Sequence, residues 1–303
     1  MILKGGTQNC ISPSESHLER SIIINRISIE SPQCRLKSIT SSSESMSSLS
    51  EALPVCISSI NTQLNADNTG LGFAVAEASL ESGAFVTISS SSSSRVESSV
   101  EALKKSYPAG KVQGYGCDLS KPTVEKDIED LFTKTGKVDH IVFTAGDKLA
   151  SVPIQEATYE FIQRAGQVRF IAPLLVAKVG SRYLEKSPQS SITLTTGTVA
   201  EHPIPNWSVV ASYAAGLHGM TKNLAIDLKP IRVNLVSPGF VDTELWKDMS
   251  TGEKEEMMKG IADKVPTGKV AKPEDVAEAY LWLMKDSNVT GFVASSDSGS
   301  RLV

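Results

Sequence analysis

Two hydroxyl side chains in the second half of the chain have types and positions that suit carbonyl chemistry. Thr196 directly follows an apolar strand pattern over residues 191–195, where its hydroxyl could donate a hydrogen bond to a substrate carbonyl. Tyr213 lies in a helical pattern over residues 207–228. The ordinary pKa of tyrosine is about 10, so a nearby cation must lower it before tyrosine can exchange a proton at neutral pH. Leu217, one helical turn further on, is no cation, so packing is the stronger interpretation of Tyr213.

A glycine-containing turn earlier in the chain indicates nucleotide binding. Gly70 and Gly72, with Leu71 between them, open an amphipathic helical pattern. Glycines at such a turn let backbone N–H groups approach a pyrophosphate at the helix N-terminus. Ala66 stands where the first glycine of a G-x-x-x-G-x-G turn would be, and a helix that merely starts with glycines is the alternative interpretation.

The residues after the second predicted strand indicate which dinucleotide would bind. Residues 89–94 are all serine, Arg95 follows them, and no Asp or Glu ends that strand. Serine hydroxyls, such as that of Ser90, and a guanidinium suit the 2′-phosphate of NADP, whereas the 2′-hydroxyl of NAD favours a carboxylate. The sequence therefore favours NADP over NAD, and a serine-rich surface loop is the alternative.

Two further strand ends carry residues that suit a cofactor. Asp118 ends one strand pattern, and its carboxylate could bind an adenine amino group or cap the helix that begins near Pro122. Thr144 and Gly146 end another strand with small side chains, which allow a cofactor to pass close to the backbone. An ordinary turn is the alternative there.

The order of the elements brings these strand ends to one edge of a sheet. Strand and helix patterns alternate along the chain, which predicts an α/β domain with a doubly wound parallel sheet, a Rossmann fold. Strand 191–195, helix 207–228 and strand 231–236 together predict a parallel crossover unit. Ligands of such sheets bind beyond the carboxyl ends of the strands, so we expect the loops after these two strands to face the ligand.

The first 54 residues differ in composition from the rest of the chain. Serine is dense over residues 41–48, and no aromatic residue occurs before residue 55. We therefore expect a disordered, Ser-rich leader over residues 1–54 and a single folded domain over residues 55–303, with a weak strand pattern at Val55–Ile60. An organellar targeting segment and a non-native leader from a faulty gene model are the alternatives.

Length, charge and cysteine usage exclude several classes of protein. The 303 residues carry a formal net charge of -4 and no basic cluster, which argues against nucleic acid or an anionic membrane as a partner. No apolar run is long enough to span a bilayer. The four cysteines lack metal-ligand spacing, so we expect no metal site and a reduced, cytoplasmic protein.

Taken together, these motifs resemble the short-chain dehydrogenase/reductase family from about Thr69 to the C-terminus. The most specific parts are the stretch 231–239 and the run 268–277. The resemblance implies a nicotinamide cofactor, with Val241 and Thr243 at its carboxamide. It also implies a homodimer or homotetramer built on two long helical patterns, residues 158–179 and 207–228, whose small and apolar residues include Ala165, Val168, Ala172 and Gly216. The remaining cofactor contacts that it implies are Leu71, Asp118, Thr144 and Pro238.

The catalytic residues that the family normally carries are not preserved. These are a Ser, a Tyr-x-x-x-Lys pair and an Asn from the preceding long helix. Alignment without gaps puts other residues at the Ser, Tyr, Lys and Asn positions: Gly197, Val210, Ala214 and, nearby, Arg169. A shifted register makes Tyr213 the tyrosine, but it puts Leu217 at the lysine position and requires four inserted residues after Thr196.

The sequence thus predicts an NADP(H)-dependent oxidoreductase that acts on a small organic molecule, with a proton donor other than a Tyr–Lys pair. Specialised, or secondary, metabolism suits such an atypical member. A cofactor-binding protein or scaffold without turnover is the alternative from another class, and a damaged gene product is the third.

Overall fold

The computed structural model of the chain describes residues 23–26, 70–149, 151–243, 246 and 249–303, with residues 23–26 described as backbone. Within these ranges the strands are β1 (Ile23–Arg26), β2 (Phe85–Ser90), β3 (Lys111–Gly116), β4 (His140–Val142), β5 (Ser191–Thr195), β6 (Arg232–Pro238) and β7 (Val293–Ser296). They form one sheet in the order β3-β2-β1-β4-β5-β6-β7. The helices are α1 (Leu71–Glu81), α2 (Ser93–Ser106), α3 (Val124–Thr135), α4 (Tyr159–Gly166), α5 (Ala172–Gly180), α6 (Ser208–Asp227), α7 (Thr251–Ala262) and α8 (Pro273–Lys285).

Helices cover both faces of the sheet, which confirms the predicted Rossmann architecture. On one face, α3, α5 and α6 pack onto the sheet around a buried cluster that includes Phe132, Val176 and Leu235. On the other face, α1, α2 and α8 enclose a second cluster that includes Val75 and Tyr280. The central strands β4, β5 and β6 are rich in β-branched and apolar residues such as Ile192, Leu194 and Val233, which predict strands from the sequence.

One strand comes from the N-terminal region and differs from its neighbours in direction. β1 pairs antiparallel with both β2 and β4, whereas the other neighbouring strands are parallel. Its run of isoleucines has a high strand propensity. At these four residues the structure differs from the predicted leader, while the rest of residues 1–54 and the expected strand Val55–Ile60 lie outside the described residues.

The helix predicted from about residue 158 to 179 is interrupted in its middle. Between α4 and α5, residues Gln167–Ile171 form a π-helical turn, in which Val168 is buried. A π-turn inserts an extra residue and rotates the side chains that follow, often beside a functional site. No sequence pattern indicated this turn, which places Arg169 under the loop after β4 (see below).

The strand β6 is anchored at its base by a buried arginine. The Arg232 guanidinium donates hydrogen bonds to the carbonyl oxygens of Pro188 (2.6 Å), Leu283 (2.6 Å) and Met284 (2.8 Å). Burial lowers the pKa of Arg232 to about 10, and nearby Asp286 partly opposes that shift. These bonds supply donors to the carbonyl groups in the last turn of α8, which have no partner within the helix. They also fix the start of β6 relative to that helix.

Truncation can test the N-terminal boundary of the domain, which stays a prediction. Removal of residues 1–54 would take β1 out of the sheet, with three residue pairs to β2 and two to β4. We expect a chain that begins at Val55 to unfold at a lower temperature than the full chain. The expected loss is about 3 kcal/mol of unfolding free energy, because each hydrogen bond contributes about 1 kcal/mol net. Identical thermal unfolding of the two chains would support the boundary that the composition predicts.

Candidate active site

A cleft with a volume of about 260 Å³ opens at the carboxyl ends of the parallel strands. It is lined by the start of α1 and by the loops after β4, β5 and β6, so the loops after β5 and β6 face it as expected. Thirteen residues were predicted as site residues, and the cleft brings ten of them together: Gly70, Leu71, Gly72, Thr144, Gly146, Thr196, Tyr213, Pro238, Val241 and Thr243.

The glycine turn presents the N-terminus of α1 to the cleft. Gly70 is the residue before the first turn of the helix, and no side chain caps that end. Its carbonyl accepts the first helical hydrogen bond, from the N–H of Ala74 at 3.1 Å. A helix N-terminus without a side-chain cap has backbone N–H groups to offer and carries partial positive charge, which suits an anion.

The floor of the cleft holds an ion pair that the sequence analysis missed. Arg169 donates from Nε to a carboxylate oxygen of Asp147 at 3.0 Å and from Nη2 to the backbone carbonyl of the same residue. Burial lowers the pKa of Arg169, and Asp147 opposes that shift. A Cβ on Gly146 would lie 2.8 Å from the Arg169 guanidinium, so a larger residue there would displace that side chain. The alignment marked Arg169 by position alone, and Asp147 directly follows the small residues of the β4 loop.

Both hydroxyl candidates for catalysis line the cleft, but their protons are directed to backbone carbonyls. Thr196 donates from Oγ1 to the carbonyl of Ala214 at 2.9 Å. Tyr213 donates to the carbonyl of Ile162 at 3.0 Å. Its ring packs so closely on Gly166 that a Cβ there would lie 2.5 Å from the ring. The surroundings of Tyr213 are those of a packing residue.

An apolar wall is formed by Val210 and Ala214, which the ungapped alignment puts at the family's Tyr and Lys positions. Val210 and Ala214 both line the cleft from α6 and are buried against Val199. Tyr213 is the sole titratable side chain that α6 contributes to the lining of this cleft. Neither register of the alignment therefore brings a cation next to a tyrosine on this helix.

The outer part of the cleft is apolar and rich in aromatic rings, and we call it the aromatic chamber. Trp246 stacks on Phe240 with 5.6 Å between ring centroids and 27° between ring planes, and its indole N–H donates to the carbonyl of Val241 at 3.0 Å. These rings lie in loops, where no periodic pattern singles them out. The chamber is lined by Leu149, Val199, Ile204, Trp207, Val210, Phe240 and Trp246.

Three predicted cofactor residues lie outside the main cleft. Ser90 is buried at the end of β2, and its hydroxyl has no hydrogen-bond partner among the described residues. Arg95 donates to the hydroxyl of Ser91 at 3.0 Å. Asp118 accepts from the N–H and hydroxyl of Ser120, so it closes a turn and does not cap α3. Ser91 and Asp118 line a second, polar depression, which brings the serine run close to the β3 end.

Neither His202 nor His218 lines the cleft. His202 is exposed, and His218 is half-buried with Nδ1 3.9 Å from a carboxylate oxygen of Glu201. Burial lowers the pKa of His218 more than Glu201 raises it. Across the described ranges, no group of three or more His, Cys, Asp or Glu side chains is placed to hold a metal ion. None of the helices in those ranges has the length and apolar character needed to cross a membrane.

Comparisons with known proteins agree on one family. A family model described as an SDR-like Rossmann domain matches residues 58–303. The short-chain dehydrogenase/reductase fsr5 of Gibberella fujikuroi is 44% identical over 245 residues, which cover 78% of this chain and 92% of that protein. The short-chain dehydrogenase/reductase malC of Malbranchea aurantiaca is 41% identical over 249 residues, 80% of this chain and 94% of that protein.

Solved structures agree with these sequence matches. The structure of the MalC reductase/Diels-Alderase from Malbranchea aurantiaca superposes with a TM-score of 0.75 over 78% of this chain and 94% of that chain, at 41% identity. A small-chain dehydrogenase in complex with NADPH superposes with a TM-score of 0.59 at 33% identity, over 63% of this chain and 87% of that chain. The fold, the glycine turn and these matches together establish that the chain belongs to the short-chain dehydrogenase/reductase family.

Proposed function

We propose that the protein is an NADP(H)-dependent oxidoreductase whose substrate is a small, largely apolar organic molecule. The observation that carries the proposal is the continuity of the cleft. One cavity joins the open N-terminus of α1, at Gly70, to the aromatic chamber at Trp246. A dinucleotide and an apolar substrate can therefore meet within it.

The residues along the cleft fit a dinucleotide. Gly70 and Gly72 leave the N–H groups of α1 accessible to a pyrophosphate. Gly146 lacks the Cβ that would clash with Arg169, so the backbone of the β4 loop stays open to the cleft. The family resemblance implies that Val241 and Thr243 contact the carboxamide, and both residues line the cleft. A bound nicotinamide ring would supply or accept the hydride of the reaction.

The preference for NADP over NAD rests on the β2 end. Arg95 and the serine run follow β2, and no carboxylate follows that strand to bind a ribose 2′-hydroxyl. The Arg95 guanidinium is held by Ser91, which keeps it at that strand end. The NADPH bound by the similar small-chain dehydrogenase supports the same choice.

Proton transfer in this site needs a donor other than the residues of α6. Val210 and Ala214 carry no ionisable group, and the Tyr213 proton is engaged by a carbonyl. Thr196 donates its proton to the Ala214 carbonyl, so its oxygen can accept a hydrogen bond from a substrate hydroxyl. Water that enters through the open end of the cleft is the donor that we propose.

A second candidate function is cofactor-dependent binding without redox turnover, for which the absence of a positioned acid on α6 is the specific observation. The MalC structure is described as both a reductase and a Diels-Alderase, and such an activity relies on holding a substrate in one conformation. The fungal relatives support a role in secondary metabolism. A cytoplasmic location stays a prediction based on the sequence.

Replacement of Arg95 with Ala tests the cofactor preference. We expect NADPH binding by calorimetry to weaken by about 1–3 kcal/mol, the range for a hydrogen bond to a charged group. NADH binding should scarcely change, because NADH has no 2′-phosphate. Lys104→Ala, an exposed cation on the same helix, is the matched control and should leave both affinities unchanged. An equal loss for both cofactors after Arg95→Ala would refute the assignment.

Replacement of Tyr213 with Phe tests the mechanism. Because the hydroxyl serves a backbone carbonyl, we expect the variant to keep most of its kcat in any NADPH-dependent reaction. The control is Tyr183→Phe, which removes an exposed hydroxyl that bonds Thr133. A thousand-fold fall in kcat for Tyr213→Phe, about 4 kcal/mol of transition-state stabilisation, would restore Tyr213 as the acid. Circular dichroism would confirm that the variant is folded.

The expected homodimer or homotetramer stays a proposal. Part of the surface that was predicted to form it is buried within the chain itself. Several small residues of the predicted interface, including Ala165, Val168 and Ala172, are buried within the chain itself. Phe170 packs against Gly216, and its ring would lie 2.7 Å from a Cβ added to that glycine. Packing of α4 and the π-turn against α6 thus buries several of the small residues that were predicted to form the interface.

Light scattering of a charged variant tests the remaining surface. Ile171 (43% exposed) and Leu174 (44% exposed) are exposed apolar side chains within residues 158–179. We expect the unchanged protein to be a dimer or tetramer at micromolar concentration and Leu174→Asp to lower its mass, because the buried charge would lack a partner. Leu302→Asp, at an exposed site near the C-terminus, is the control. A monomeric unchanged protein would contradict the proposal.

A further inference from the structure

We infer that the cleft selects a flat, uncharged aromatic ring system, held against the Phe240–Trp246 pair. The inference rests on the proposed function in one respect, since it places this ligand in the cleft assigned to the cofactor and substrate. Three observations carry it: the Phe240–Trp246 stack, the second apolar wall and the pairing of Asp147 with Arg169 among the described residues that line the cleft.

Phe240 stands on a backbone that is held on both sides. Gly239 lies so close to the backbone of Asp297 that an added Cβ would be 2.8 Å from its Cα. Val241 forms a bridge with Ala271, and the Asp242 N–H donates to the Ala271 carbonyl at 2.9 Å. Phe240 therefore projects from a fixed segment. A ring held in place before binding loses little conformational freedom when a ligand stacks on it.

Trp246 is oriented by its one polar group. The indole N–H is used by the Val241 carbonyl, and one part of the ring stacks on Phe240. Both rings are half-buried and line the cleft. Aromatic rings prefer stacked or edge-on aromatic partners over aliphatic ones at equal burial. The pair thus offers a ligand more than a generic apolar surface.

A second wall of the chamber comes from a different segment of the chain. Ile204 and Trp207 lie in the loop between β5 and α6, and Val210 continues that wall into the helix. The loop is closed by hydrogen bonds from the Trp207 N–H to the Ile204 carbonyl and from the Ala211 N–H to the Trp207 carbonyl. A third aromatic ring therefore faces the same cavity from a separate element.

The charges of the cleft favour a neutral ligand. Among its lining residues, Asp147, Lys148 and Arg169 carry charge. Asp147 and Arg169 neutralise each other, with Arg169 Nε 3.0 Å from an Asp147 carboxylate oxygen, and Lys148 is exposed at the surface. A carboxylate or ammonium on the ligand would lose its water without gaining a new partner in the chamber, which disfavours charged substrates.

Matched probes on the NADPH-loaded full chain test this inference. 2-Naphthol and trans-2-decalol share a carbon skeleton and a hydroxyl, but only the former is flat and aromatic. We expect calorimetry to give about fivefold tighter binding of 2-naphthol. Trp246→Leu should abolish that ratio, whereas Trp282→Leu, on the surface of α8 and outside the cleft, should preserve it. Equal affinities of the unchanged protein for the two probes would overturn the inference.

A second variant protects the test from misfolding, and a separate measurement keeps the two proposals apart. If Trp246→Leu fails to fold, Phe240→Leu removes the other half of the stack and should also abolish the ratio; a ratio that survives in a folded variant overturns the inference. NADPH affinity is measured without probe. Normal NADPH binding with equal probe affinities rejects the aromatic ligand alone. A fivefold probe ratio without NADPH binding rejects the proposed oxidoreductase and supports the aromatic ligand.

Discussion

The position of the cleft depends on one constraint, the need of the buried central strands β4, β5 and β6 to pair all their backbone polar groups. Every residue of β4 and β6 is buried, so a change of register would leave N–H and C=O groups without water or partner. The parallel register puts Thr195 beside Val236, and the Thr196 N–H then donates to the Val236 carbonyl at 2.9 Å. The two loops that form the site therefore leave the sheet side by side. Arg232 supports the same arrangement from the other end of β6, because it supplies donors to the carbonyls that end α8.

Within that frame, the face of α6 that lines the cleft is apolar at Val210 and Ala214. A lysine at the position of Ala214 would bring an ammonium next to Val199 and Val210, where it would have to lose its water. With valine and alanine there, the same helix extends the wall that begins at Trp207. The apolar character of this face thus contributes to the aromatic chamber and leaves Tyr213 without a cation beside it on α6. The Asp147–Arg169 pair, which lies among the described residues that line the cleft, is internally neutral.

The sequence predicts most of the frame and only part of the site, and the reason lies in the range of the interactions. Helix α6 and strands β5 and β6 follow from local periodicity, and the facing loops follow from topology. The Arg169–Asp147 pair joins residues 22 positions apart through a π-turn that has no local pattern, so it could not be found in advance. Trp246 lies in a loop, where an aromatic residue has no periodic partners. Four residues of the N-terminal region form β1, although the composition around them predicts no packed core.

The proposed function needs no positioned general acid on α6, because orientation of the reactants can contribute more to a rate than proton transfer does. A positioned general acid contributes about 10²- to 10⁴-fold to a rate, or roughly 3–5 kcal/mol. Holding two reactants in the productive geometry contributes roughly 7–11 kcal/mol in favourable cases. The features retained here belong to the second kind: an open helix N-terminus, a glycine beneath the β4 loop, a fixed Phe240–Trp246 stack and a Thr196 hydroxyl at the strand end. A contribution of the first kind, from a general acid, is not available from Val210 or Ala214, which carry no ionisable group. A cleft of this composition therefore suits reactions whose barrier is set mainly by orientation and desolvation, with proton transfer left to water at the open end.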